Sequence, residues 1–460
     1  MADTALYRSV WRWHFYAGLF VLPFVLILSI SGAIYLFKPQ IDRWEERDYR
    51  GLSQVGTVSA DAQLEAVLGQ YPGTRFHHYR LPEAPGDAAM IQLGEADGTR
   101  REVYVSPQGE VLGEIAPDGR ISALVAKFHG SLMLGRYGDW LVELAASWTI
   151  VMILTGLYMW WPRPFRAGGT LWPRLSLRGR PLLRDLHRVT GFWIAGLVLV
   201  MLASGLPWAG AWGTAFKWAR AELGLVEGAQ DWKIGAGPEQ EAAGSGFDPV
   251  ALVIPPAHAH AGHDHGPAAP PPENATDARG LPPGQPLSVF VASAGREGMA
   301  FPVLVMAPYS PQKFGPPNGA GWTVKSEPQN RPLGRSVTFS PASGQETGRT
   351  GFADQHPVDR AVGYGIAWHE GQLFGLANQL IGLATALALI ALSVIGTVMW
   401  LKRRPTGKLG APTAPSDKGA RKLLLAALTC GVLLPLFGLS LILMAAIDFV
   451  IGQRRQYGSR

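Results

Sequence analysis

Apolar runs long enough to cross a bilayer constrain this chain before anything else does. A transmembrane helix needs about 20 mainly apolar residues, and five such runs are legible, at 15–37, 139–161, 188–208, 372–401 and 423–452. Only 17% of the residues are charged, fewer than in ordinary soluble domains, and they collect between the runs. The chain therefore reads as a polytopic α-helical membrane protein in a lipid bilayer. Its first run is too long for a signal-peptide core, and no small-residue cleavage site follows it, so it reads as an anchor. Tryptophans at run ends, Trp11, Trp13, Trp160, Trp161 and Trp400, suit the membrane–water interface.

Cations between the runs set an expected orientation. The segment 162–187 carries Arg163, Arg166, Arg174, Arg178, Arg180 and Arg184, with no acid before Asp185. The segment 402–422 carries Lys402, Arg403, Arg404, Lys408, Lys418, Arg421 and Lys422, against Asp417. The positive-inside rule places both loops, and the N-terminus, in the cytoplasm. Residues 38–138 and 209–371 then lie on the far side, the periplasm for a bacterial inner-membrane protein. The fifth run would carry Arg454, Arg455 and Arg460 outward, a mild conflict with the same rule. The net charge of +6 comes from these loops and implies no nucleic-acid partner. A lone cysteine, Cys430, cannot build a thiolate iron–sulfur cluster or a cysteine zinc site.

The first exported region predicts a small α+β domain. Ser59 is placed to cap a helix over 60–68, and strand patterns follow at 74–80, 88–93 and 101–106. The last belongs to REVYVSPQGEVLGE, a strand, a Pro–Gly turn and a second short strand. The second exported region predicts a disordered Pro-, Ala-, Gly- and His-rich insertion at 255–286, then strands at 287–293, 301–307 and 335–339. Its SVTFSPASGQETG matches the earlier hairpin with one extra residue in the turn.

That match is part of an internal duplication. With His129 aligned to His369, Gly135 meets Gly375, Gly156 meets Gly396, and Met159–Trp160 meets Met399–Trp400, without a gap. With His14 aligned to His187, Gly18 meets Gly191 and Ser31–Gly32 meets Ser204–Gly205. The fold class expected is a four-helix core from two tandem repeats of span, exported domain and span, plus a fifth span. Two copies with one orientation imply an axis along the membrane normal.

The duplication leaves two histidine pairs, His14 with His187 at the cytoplasmic edge and His129 with His369 at the periplasmic edge. One histidine at a span end is most simply an interfacial polar residue. Four in matched pairs point to ligation, because polar groups near membrane depth are expensive. Two imidazoles fall short of the four ligands zinc usually takes, and no acid matches between the copies. A haem brings four equatorial nitrogens of its own and asks the protein only for two axial ones. The matched glycines serve either close helix packing in lipid or the approach of a flat macrocycle. Arg12, Arg188, Lys127 and Arg136 read either as propionate partners or as plain interfacial cations. One pair per face divides a core of about 30 Å into shorter electron hops.

The stretches FHGSLMLGRYGDWLVELAASWTIVMILTGLYMWW, WHEGQLFGLANQLIGLATALALIALSVIGTVMW and LHRVTGFWIAG, with REVYVSPQGEVLG, resemble the PepSY-associated transmembrane helix proteins. The resemblance covers the four histidine-bearing spans and the first exported domain. It implies periplasmic PepSY-like domains and a function like that of inner-membrane ferric-siderophore reductases: two haem b groups, with His14, His187, His129 and His369 as axial ligands. The substrate implied is a periplasmic ferric siderophore, released of its iron as Fe(II). The electron donor would be a quinol or a separate cytoplasmic reductase, since neither cytoplasmic loop can hold a flavin or nicotinamide domain.

Other features stand beside this reading. His258, His260, His263 and His265 form HAHAGHDHG, either an accessory metal-capture segment or a low-complexity linker. His77 and His78 read as surface residues of an exported strand. Competing functions are a quinol-linked reductase of another periplasmic acceptor such as a cupric ion, a transporter without haem, and a cofactor-free regulatory protein. Pro23, Pro435 and Asp448 are the features in the spans that a transporter could use.

Overall fold

A computed structural model describes residues 4–161, 167–225, 275–312, 317–411 and 420–457. Three spans begin earlier than their apolar runs suggest. Helix α1 is Thr4–Tyr35, and α2, Lys38–Glu45, follows at once. Ser59 caps α3, Ala60–Gln70, its side chain accepting from the Ala62 amide at 3.2 Å. Strands β1 (Arg75–Arg80), β2 (Ala89–Gly94), β3 (Arg100–Val105) and β4 (Val111–Ile115) come next. Helices α4 (Ile121–Ser131), α5 (Gly135–Trp160), α6 (Gly179–Gly205) and α7 (Gly210–Glu222) complete the first part.

In the remainder, α8 spans Leu287–Arg296 and is followed by β5 (Val303–Met306), β6 (Trp322–Ser326), β7 (Arg335–Phe339) and β8 (Glu346–Gly351). Then come α9 (Pro357–His369), α10 (Leu376–Leu401), α11 (Ala420–Leu433) and α12 (Pro435–Tyr457). Residues 287–293, expected as a strand, form helix α8 instead. Leu287, Phe290 and Ala294 recur at helical spacing and are all buried, which decides against a two-residue period.

Among the described residues four helices, α1, α5, α6 and α10, are long and apolar enough to cross a membrane. Helix α1 packs against α5 and α10, and α6 packs against the same two, which closes a four-helix ring. The expected fifth span is not one helix. The chain breaks at Leu434–Pro435, because proline cannot donate to the helix ladder and clashes with the preceding turn. The bend is sharp: a Cβ on Gly431 would lie 3.2 Å from the Gly438 Cα, whereas residues seven apart on a straight helix are about 10 Å apart. Phe437, just past the bend, is buried against Trp13 and Trp148.

The two long regions between the spans form one sheet. Its eight strands run in the order β4-β3-β2-β1-β5-β6-β7-β8, and the pairings are antiparallel throughout. The halves join where Tyr79 of β1 faces Val305 of β5. Alternation sorts the faces. Ile91, Val103 and Val105 point to a core with Phe76, Phe290 and Trp322 under α3 and α8, while Met90 and Tyr104 point the other way.

On that second face Glu46 ties the sheet to the helices. Its carboxylate accepts from Arg80 at 3.0 and 2.9 Å, from Arg120 at 2.9 Å and from the Tyr104 hydroxyl at 2.8 Å. Burial opposes the charge, but the Arg80 and Arg120 guanidiniums outweigh it and hold the carboxyl down at about 2. Arg120 immediately precedes α4, so this cluster fixes the start of the helix that carries His129.

His77 and His78 correct the sequence reading, being enclosed rather than superficial. A register slip at His77 interrupts β1, and its ring occupies the space that a side chain on Gly94 would fill. His78 is 7% exposed. Burial lowers both imidazoles to about 4, the neighbouring His78 adding to the effect at His77. In the unfolded chain they would take up protons near 6.5, so folding is penalised as pH falls from about 6.5 toward 4. The unfolding temperature should fall across that window. The double change His77→Gln with His78→Gln should flatten the decline, as thermal melts at several pH values would show.

Candidate functional site

The four histidines of the duplication lie in two layers of the ring. His14 sits inside α1 and His187 inside α6, both toward the end of the bundle remote from the sheet. His129 is in the last turn of α4, and His369 ends α9, both on the sheet side. Gly32, which meets His129, lies eighteen residues beyond His14 on α1, so the layers are about 27 Å apart at 1.5 Å per residue.

Three of the four rings are seated in the same way on a neighbouring helix. The His14 Nδ1 faces the Met152 carbonyl at 3.0 Å and the Thr155 hydroxyl at 3.1 Å, and Gly156 lies beneath the ring. The His369 Nδ1 faces the Met201 carbonyl at 2.9 Å and the Ser204 hydroxyl at 3.1 Å, over Gly205. The His129 Nδ1 is 2.9 Å from the Ser31 hydroxyl, turned toward the Leu28 carbonyl, over Gly32. The seat is thus a carbonyl, a hydroxyl three residues on, and a glycine one further. His187 faces Leu392 and lies over Gly396, but the hydroxyl position is Ile395 and its Nδ1 is buried without a hydrogen bond.

The glycines explain themselves here. A Cβ on Gly32, Gly156 or Gly205 would stand 3.1, 3.1 or 3.2 Å from the Cε1 of the ring it carries, tighter than ordinary van der Waals contact. They receive histidine rings, a role that neither sequence reading of Gly32 and Gly205 assigned. Gly18 meets the Met152 sulfur at 3.8 Å, and Gly191 faces no atom within 4 Å.

The seat also selects a tautomer. Each hydroxyl sends its own proton back into its helix: Ser31 to Ile27 at 2.9 Å, Thr155 to Met152 at 2.8 Å, Ser204 to Met201 at 3.0 Å. Only its lone pairs are left for the imidazole, and the carbonyls can only accept. Nδ1 must therefore carry the proton, which leaves the Nε2 lone pair free. Nε2 of these four rings makes no hydrogen bond among the described residues. A free Nε2 with a bonded Nδ1–H is the arrangement of a metal-ligating histidine.

The sheet-side pair is spaced for one shared metal. His129 and His369 have ring centroids 6.4 Å apart at 72°. Two imidazoles on opposite sides of one ion, each about 2 Å from it, bring their centroids to about 6 Å. Among the described residues no group of three metal-ligating side chains converges. A metal held here would have to bring its remaining ligands with it, as the iron of a haem does.

Of the cations weighed as propionate partners, Arg188 donates to the Trp160 carbonyl at 2.9 Å. Arg12 lies over the Tyr16 ring and Arg136 over Trp140. Lys127 is exposed on α4. His258, His260, His263 and His265 fall outside the described residues.

Sequence reasoning missed two acids within α5, Asp139 and Glu143. Glu143 is 2% exposed and its carboxylate accepts from the Ala211 and Trp212 amides at 2.9 and 3.1 Å, the open N-terminus of α7. Gly210 packs directly on Asp139. Acids four residues apart in an apolar run were the available signal. At the far end of α7, Arg220 pairs with Asp359 of α9 at 2.9 Å, both essentially buried. A continuous chain of contacts thus leads from α5 through α7 to the helix that presents His369.

These features define a helical membrane protein with paired histidine sites inside its bundle and an antiparallel sheet domain at one end. Residues 11–403 match the PepSY-associated TM region family, and the chain belongs to that family. No curated protein matches it.

Proposed function

We propose that the protein carries electrons across the bacterial inner membrane through two haem b groups and reduces a ferric siderophore on the sheet side. The observation that carries this reading is the repeated histidine seat, which frees Nε2 at His14, His129 and His369 and recurs without its hydroxyl at His187. His14 and His187 would hold one haem, His129 and His369 the other. Haem held by these imidazoles would supply one-electron transfer. The seats of His14, His129 and His369 would keep those rings fixed while charge changes, because Nδ1 is tied to helix backbone or hydroxyl rather than to water.

The tandem-repeat reading is supported by the way the seats exchange helices. α1 carries His14 and receives His129, while α6 carries His187 and receives His369. The basic segments 162–187 and 402–422 favour a cytoplasmic N-terminus and a periplasmic sheet. A quinol or a separate cytoplasmic reductase would then be the donor. Each electron delivered would convert one chelated Fe(III) to Fe(II), which such chelators hold weakly.

The test is acceptor-dependent reoxidation. Protein reduced with dithionite, freed of excess and mixed with a ferric siderophore in stopped flow should return to its oxidised spectrum in step with Fe(II) captured by ferrozine. Reoxidation by cupric ion with none by ferric chelates would reassign the acceptor.

A further inference from the structure

The fourth histidine seat differs from the other three at one residue. His14, His129 and His369 each have a hydroxyl within 3.1 Å of Nδ1, from Thr155, Ser31 and Ser204. At the matching place beside His187 stands Ile395, and the His187 Nδ1 is buried without a hydrogen bond. The nearest hydroxyls on that helix do not compensate. Thr397 donates to the Ser393 carbonyl at 2.8 Å, and neither residue bonds to the ring.

Building on the two-haem reading above, we infer that Ile395 makes the two haem sites electronically unequal, with the His14/His187 site at the higher reduction potential. An imidazole that donates its Nδ1 proton to an oxygen gains imidazolate character, and its Nε2 becomes a stronger donor to the metal. A stronger donor favours the more positive, oxidised iron and so lowers the potential. Both rings of the sheet-side pair are hydrogen-bonded in this way. In the remote pair only His14 meets a hydroxyl; His187 faces the Leu392 carbonyl alone, and an isoleucine side chain can neither accept nor donate. Ile395 therefore acts as a tuning residue through His187 and touches no reacting atom. Haem held by the remote pair would then keep the electron in the half-reduced protein, and an acceptor at the sheet side would draw it across.

Redox titration of the purified protein, followed by visible absorbance, tests this. Wild-type protein should show two resolved midpoints. Ile395→Thr restores the missing hydroxyl with a side chain one heavy atom smaller and should move the higher midpoint down, leaving the lower one in place. Ser204→Ala removes a hydroxyl from the sheet-side pair and should move the lower midpoint up. The electron paramagnetic resonance signal of the oxidised protein should change for the same haem in each case. Unmoved midpoints in both variants, or an Ile395→Thr shift confined to the lower midpoint, would overturn the inference while leaving two haems in place. Protein that binds no haem fails at the first spectrum and sinks the underlying reading instead.

Discussion

Replacing His369 with alanine should reduce the haem content from two per chain to one and bring acceptor reduction to background. The ring of His369 ends α9 and is held by the Met201 carbonyl and Ser204 hydroxyl over Gly205. Alanine removes the ligand and leaves His129 to hold a haem alone. His14 and His187 sit about 27 Å away along the helices, so their haem should stay, with its midpoint unchanged. On the two-haem reading electron delivery should nonetheless stop, because a single carrier at the remote layer leaves most of the hydrocarbon core uncrossed. His187→Ala should give the complementary result, losing the other haem. Pyridine haemochrome assays on both variants, and on His77→Gln as a control that keeps two, would check this.

The second large effect concerns stability and reaches the site indirectly. Asp359 and Arg220 form an ion pair with side chains only 2% and 3% exposed. Removing one partner of such a pair strands a buried charge and costs about 3–5 kcal/mol. Asp359→Ala should therefore lower the melting temperature of the detergent-solubilised protein strongly. Because Asp359 lies in the first turn of α9 and His369 at its end, the sheet-side haem should be lost before the remote one. Combining Asp359→Ala with Arg220→Met removes the stranded charge and should recover part of the stability. A double variant no more stable than Asp359→Ala alone would show that the ion pair is not what holds α9.

What was legible in the sequence follows from how local each signal is. A span is a composition signal within one window, so α1, α5, α6 and α10 were readable. The duplication exposed the histidine pairs because it compares like with like, and no structure was needed to see His14 opposite His187. The seats were not readable, since the ring of His14 meets Gly156 on another helix. The sheet shows the same limit. Strands β1 and β5 lie more than 200 residues apart, and nothing in either says that Tyr79 pairs with Val305. That unseen join also places β1 in the middle of the sheet rather than at its edge, with His78 paired to Met306, while the His77 ring lies over Gly94 of β2. Helix α8 was misread because a short apolar run fits either period. In the last apolar segment hydropathy outweighed Pro435, although proline's missing amide was the local signal that it breaks.

The central claim is that the two histidine pairs hold two haems. The most direct measurement is the visible spectrum of the detergent-purified full-length protein, oxidised and then reduced with dithionite, together with its haem-to-protein ratio. The account predicts a Soret band that sharpens and shifts on reduction, resolved α and β bands, and two haems per chain. A protein without Soret absorbance, prepared from haem-replete cells, would contradict it.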